Sequence, residues 1–112
     1  METEVLPGDV QRISLDGRLD IEGSQAIDVR FSALTTTRKA HIVVDLAAVS
    51  FLASIGIRLL ITAARGQKGR GGKLVMASAQ PAVKKALVSA GIDQLVPLYD
   101  DLEAARAAIV AA

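Results

Sequence analysis

The 112-residue chain contains no cysteine. Disulfides, thiolate nucleophiles and cysteine-based metal sites are therefore excluded. Only 3% of its residues are aromatic and none is tryptophan, so the stacking platforms that hold single-stranded nucleic acids are missing. Its 13 basic and 12 acidic residues leave a net charge of +1, too small for a phosphate-backbone argument. No nucleic-acid partner is expected. The acidic residues show no metal-ligand spacing around the single histidine, and neither a metal nor a cofactor is predicted.

Long uncharged segments are also scarce. Between Leu46 and Ala64 only Arg58 is charged, which a hydropathy scan would mark as a membrane span. An arginine near the middle of a span costs about 2.5–3.5 kcal/mol, and Ser50, Ser54 and Gly56 suit a span poorly. A strand end followed by a core-packed helix accounts for the run, so no direct membrane insertion is expected. Met1 is followed by Glu2, Thr3 and Glu4, unlike a secretory signal, and a cytoplasmic protein is expected.

What the chain does have is aliphatic bulk: 51% of its residues are hydrophobic, enough for one core at this length. Residues 1–112 read as a single α/β domain. Thr3–Leu6 and Val10–Leu15, joined by Pro7-Gly8-Asp9, read as an N-terminal hairpin, although Val10 and Ile13 have opposite parity. Asp16-Gly17 is expected to end the second strand, and Ser24 to cap the first helix. Ile27, Phe31 and Leu34 form one helical stripe, which Thr35-Thr36-Thr37 closes. His41–Leu46 reads as a central strand buried on both faces. A helix from about Ser54 to Arg65, a solvated basic turn over Gly66–Gly72 and a strand at Lys73–Ala77 follow. Pro81 suits the first turn of a third helix, with Val83, Leu87 and Ala90 inward and Gly91 as its C-terminal cap. Leu95–Tyr99 reads as an edge strand because of Pro97, and Asp101 caps a last helix whose Leu102, Ala105 and Ile109 face inward. Helices placed between strands imply a mostly parallel sheet.

Catalytic constellations are sparse. His41 could serve a Ser-His-Asp triad or a phosphorelay, but a histidine at the start of a strand needs no catalytic role. The glycine-rich run Gly66–Lys73 fails as a phosphate loop: Gln67 stands where the pattern needs glycine, and Leu74 where it needs Ser or Thr. Asp100 and Asp101 are accounted for by helix capping.

The segment around Ser54 carries more information. Advancing about 100° per residue, Ser54, Arg58, Thr62 and Arg65 form one polar stripe, opposite Gly56, Leu60, Ala63 and Ala64. Ile55 and Ile61 flank the stripe and make it a candidate docking face. A serine at a helix start can simply cap free amides. It can also take a phosphate, bringing about −1.5 to −2 charges, which the helix N-terminus and Arg58 would stabilise.

At these residues the chain resembles the STAS-domain family, especially the bacterial anti-sigma factor antagonists. Ala53-Ser54-Ile55-Gly56 is similar to the family's Asp-Ser-Ser/Thr-Gly at a helix start. Gly17-Arg18-Leu19-Asp20 resembles Gly-x-Leu/Ile-Asp before the first helix, and Gly72-Lys73-Leu74-Val75 and Pro81–Ile92 fit the later strand and helix. The resemblance implies a STAS-like α/β domain, a small mixed sheet of four or five strands covered by about four helices. It implies a non-enzymatic regulator that binds an anti-sigma factor acting as a serine kinase, with Ser54 phosphorylated by that kinase and restored by a serine phosphatase. Ala53, Ser54, Ile55, Arg58, Ile61 and Asp20 would form the partner-binding surface, and a homodimer is compatible with it. Ala53 departs from the usual acidic residue, Ile55 from the second hydroxyl residue, and Arg58 from a small one. The alternatives are a constitutive STAS adaptor in a lipid-transport or signalling complex and, from another class, a small enzyme using His41.

Overall fold

The computed structural model describes residues 1–111. Strand β1 (Glu2–Leu6) turns into β2 (Val10–Leu19), followed by helix α1 (Ile21–Thr36), β3 (His41–Leu52) and α2 (Ser54–Gly69). Strand β4 (Lys73–Ala77), helix α3 (Pro81–Ser89), a 3₁₀ turn (Ile92–Gln94), β5 (Leu98–Tyr99) and α4 (Leu102–Ala111) complete the chain. The five strands lie in the order β1-β2-β3-β4-β5. Only β1–β2 is antiparallel; the other three pairings are parallel. This is the small mixed sheet that the resemblance implied.

Each strand in the middle of the sheet feeds two cores. Ile13, Leu15, Ile42, Val44, Leu46, Leu74 and Met76 pack beneath Phe31 of α1, Leu60 and Ala63 of α2, and Val83 and Leu87 of α3. On the opposite face Val10, Val43, Val75 and Ala77 meet Ala105 and Ile109 of α4. The parity conflict in β2 disappears, because Val10 and Ile13 belong to opposite covered faces. One helix cannot cover the whole second face. Towards β1 that face is filled by charge instead: Arg12 lies 3.6 Å from Asp45 and 3.6 Å from Glu4.

Several boundaries differ from the sequence reading. Strand β2 does not stop at Asp16-Gly17. It continues to Leu19 through two register shifts, with Gly17 at φ 72°. Bulges absorb the misfit while β2 follows β3, itself extended to Leu52. Asp20, not Ser24, caps α1: its Oδ1 accepts the Gly23 amide at 2.9 Å, and Ser24 is buried. Ala90 is exposed past the end of α3, where Gly91 takes the left-handed conformation. Strand β5 begins only at Leu98, because Pro97 cannot donate to a sheet ladder.

The largest departure is at Gly66–Gly72. Helix α2 runs through Gly69, and Gln67 is fully buried. Its Nε2 donates to Thr35 O at 2.6 Å and Arg38 O at 2.8 Å, while its Oε1 accepts the Ala40 amide at 2.8 Å. One side chain thus satisfies the end of α1 and the entry to β3. A Cβ on Gly72 would collide with Gln67 Oε1 and Ala40 O, so the glycine serves close approach there, not flexibility.

Candidate protein-docking site

The site is built where the C-terminal ends of β2 and β3 deliver the N-termini of two helices side by side. Leu19 pairs with Leu52, and the Ala53 amide donates to Leu19 O at 3.0 Å. Asp20 and Ala53, the N-caps of α1 and α2, are thereby held at one corner of the molecule. Gly56 permits the contact: a Cβ there would lie 2.8 Å from Leu52 Cδ1 and 3.0 Å from Leu19 Cβ.

Ser54 is the first residue of α2 and is exposed. It does not cap the helix, since Ala53 occupies the cap position with extended backbone and no side-chain hydrogen bond is made there. Ile57 donates to Ala53 O at 3.1 Å and Ala53 to Leu19 O, so the amides of Ser54, Ile55 and Gly56 are the free donors of the helix N-terminus. A phosphorylated serine at this position would meet those donors and the exposed Arg58 one turn along. Arg58, Thr62 and Arg65 continue the exposed stripe, while Gly56, Leu60 and Ala63 are buried, as the periodicity predicted, and Ala64, expected with them, is only half-buried.

Asp20 joins the same corner in a structural role as well. The Gly23 amide holds its carboxyl below the ordinary value of 3.8, and Arg18, 3.5 Å away, acts in the same direction. Ile55 is half-buried beside Ser54. Ile61, two turns along, instead packs at the margin of the main core and lines a shallow cavity with Leu95. The structure does not bring it to the Ser54 corner.

Three residues of this corner, Arg18, Phe51 and Ile21, have no role in the sequence reading. Arg18 lies 4.4 Å from the centroid of the Phe51 ring, a stacked cation–aromatic pair set by the register that opposes Arg18 to Phe51. Phe51 is 40% exposed and Ile21, at the start of α1, is 64% exposed. The exposed apolar residues nearest this corner in the elements that build it are therefore Phe51 at the end of β3 and Ile21 at the start of α1. No local pattern signals this, because the pairing joins residues far apart in the chain.

His41 stands at the start of β3, in a cavity of about 310 Å³ lined also by Asp9, Gln11, Arg38 and Lys39. Its Nδ1 is inaccessible and unpaired, and among the described residues no hydrogen bond joins it to a serine or a carboxylate. Among the described residues no group of three potential ligands could hold a metal ion, and no helix is long and apolar enough to cross a membrane.

The sequence over residues 3–97 matches the family model described as "Mlab, STAS domain". The chain belongs to the STAS-domain family. This STAS domain is 24% identical over 94 residues to BtrV of Bordetella bronchiseptica, whose name places it among anti-sigma factor antagonists; the match covers 84% of this chain and 81% of BtrV. The crystal structure of an anti-sigma factor antagonist from Mycobacterium paratuberculosis superposes with a TM-score of 0.85 at 27% identity, covering 96% of this chain and 91% of that one. The Bacillus cell fate determinant SpoIIAA, in its phosphorylated form, has a TM-score of 0.67 at 20% identity over 96% of this chain and 97% of its own. At that identity the likeness shows the fold.

Proposed function

We propose that this STAS domain is a cytoplasmic, non-enzymatic regulator that binds an anti-sigma factor through the Ser54 corner. Ser54 unmodified permits binding; phosphorylation by that partner, acting as a serine kinase, releases it, and a serine phosphatase restores it. The observation that carries the reading is the placement of Ser54: exposed, uncapped and first in α2, directly after the strand end that carries the exposed Phe51 and beside the helix start that carries the exposed Ile21. A group of about −1.5 to −2 charges introduced there would have to be buried against apolar surface on docking, which is unfavourable. Ala53, Ile55, Asp20 and Arg58 belong to the same proposed contact surface, with Ile61 at its margin. The similarity to anti-sigma factor antagonists, and a phosphorylated protein of this fold, support the reading.

The test is phosphorylation and binding with the anti-sigma factors of the source organism. The native chain should bind one of them and incorporate one phosphate, mapped to Ser54. Ser54→Ala should bind without being modified, and Ser54→Asp should bind at least tenfold more weakly. Phosphate mapped only elsewhere refutes the switch. Capture of transporter subunits that is indifferent to Ser54→Asp would instead identify a constitutive adaptor.

A further inference from the structure

Charge is divided between the two ends of the sheet. The turns at the Ser54 end, β2–α1, β3–α2, β4–α3 and β5–α4, hold Asp20, Asp100 and Asp101 and no cation. Glu22 and Glu103 add to them in the first turns of α1 and α4. At the opposite end the balance reverses. Arg38 and Lys39 lie between α1 and β3, Lys68 in the last turn of α2, Arg70 just after it, and Lys73 at the start of β4. The acidic residues of the turns there are Asp9 and Asp93. The net charge of +1 hides this separation.

Tertiary contacts gather the five cations at that end. The Lys73 amide donates to Ala40 O at 3.1 Å, and His41 pairs with Lys73 across β3 and β4. Gln67 holds the Arg38 carbonyl, and a Cβ on Gly71 would lie 4.0 Å from Lys39 Cε. Arg70 donates to Gly66 O at 3.1 Å, which completes the end of α2, and Lys68 suits the negative pole of that helix. Neither role extends to Lys39 or Lys73. Among the described residues none of the five forms an ion pair. Arg38, Lys39, Lys68 and Arg70 are exposed and Lys73 is half-buried.

We propose that this basic end rests on an anionic phospholipid surface, with the Ser54 corner turned away from the bilayer. Lys68 belongs to α2 on one face of the sheet, while Lys73 shares the other face with Val75 and Ala77. The cations therefore spread over the end of the molecule and line no single groove. That distribution fits a plane. Three of the five are lysines, which protein interfaces disfavour, whereas the field of an anionic leaflet attracts Lys and Arg alike. The same field repels the carboxylates of the other end, which sets the orientation. Nucleic acid fits less well: Phe31 is buried and Phe51 and Tyr99 lie towards the Ser54 end, so bases would find nothing to stack on. The cavity of about 310 Å³ beside Arg38, Lys39 and His41 has room for a headgroup phosphate. Leu95, 60% exposed and lining a cavity with Lys68, can enter the headgroup layer. The association does not depend on phosphorylation of Ser54.

The test is sedimentation of the full chain with vesicles of phosphatidylcholine alone and of equal parts phosphatidylcholine and phosphatidylglycerol. The chain should sediment with the mixed vesicles only, and added salt should release it. Lys39→Glu with Lys68→Glu should weaken binding at least tenfold, whereas Lys84→Gln with Lys85→Gln, on α3, should leave it unchanged. With nitroxide-labelled headgroups, the amides of residues 38–41 and 68–73 should broaden and those of Ser54–Gly56 should not. The salt series and the broadening read out the site even if the double variant folds poorly. Equal binding to both kinds of vesicle, no binding to either, or broadening centred on Ser54 would overturn the proposal. So would tighter binding to single-stranded RNA or to polyglutamate at the same salt, which would assign the end to another polyanion.

Discussion

Replacing Gln67 by leucine would keep the bulk of the side chain but remove every hydrogen bond that its amide makes. The Ala40 amide and the Thr35 and Arg38 carbonyls would lose their partner at a junction where the side chain is fully buried. Leaving buried backbone groups unpaired costs about 1–3 kcal/mol each, reduced here because the junction lies close enough to the surface for water to reach part of it. Gln67→Leu should therefore lower unfolding stability by about 2–4 kcal/mol, measured by urea denaturation with an unchanged slope. A change under about 0.5 kcal/mol, the range of an ordinary surface substitution, would mean that the amide is not a clamp. The same residue explains why a glycine-rich segment does not behave as a loop. Gly66 and Gly69 weaken a helix, but the three hydrogen bonds of Gln67 outweigh them.

At the scale of the element, α2 is a helix with a deliberately bare start. Ala53 has the extended backbone of an N-cap, φ −88° and ψ 170°, yet no side chain to accept from the first amides. An Asp at a compatible N-cap adds about 1 kcal/mol over Ala, and the negative charge suits the helix N-terminus. Ala53→Asp should raise the melting temperature by a few degrees, measured by circular dichroism. A lower melting temperature would show that the corner with Leu19 cannot accept a side chain. The new carboxylate would also compete for the amides that a phosphate on Ser54 would use, so native Ala53 keeps those donors available. Helix α1 is built in the opposite way, with Asp20 satisfying the Gly23 amide itself.

At the scale of the molecule, protection is distributed unevenly across the sheet. Strand β3 is bonded on both edges and covered on both faces, with Ile42, Val43, Val44 and Leu46 fully buried. Strand β1 has one partner, and four of its five residues are exposed. Native-state hydrogen exchange should therefore find the slowest amides in Ile42–Leu46 and in the β2 and β4 residues paired with them. Amides of β1 that face away from β2 should exchange first. Equal protection of β1 and β3 would contradict this layering. The Ser54 corner, where the proposed partner docks, lies at the end of this protected centre.

The positions of α1, α3 and α4, the buried strand from His41 and the exposed stripe Ser54-Arg58-Thr62-Arg65 could be read in the sequence, because side-chain periodicity encodes which face of an element is covered. The capping of α4 by Asp101 was equally local, its Oδ1 accepting the Ala104 amide at 2.7 Å. Tertiary structure decided where the strands end and what surrounds Ser54. Strand β2 passes Asp16-Gly17 because β3 lies alongside it, and Arg18 meets Phe51 through the same pairing. Gln67 is helical and buried because its partners lie at Thr35, Arg38 and Ala40. Strand β5 pairs with β4 only at Met76 and Ala77, because the segment before it carries Pro97. Local patterns set the faces of each element; its limits and its neighbours depend on hydrogen bonds and packing between residues distant in the chain.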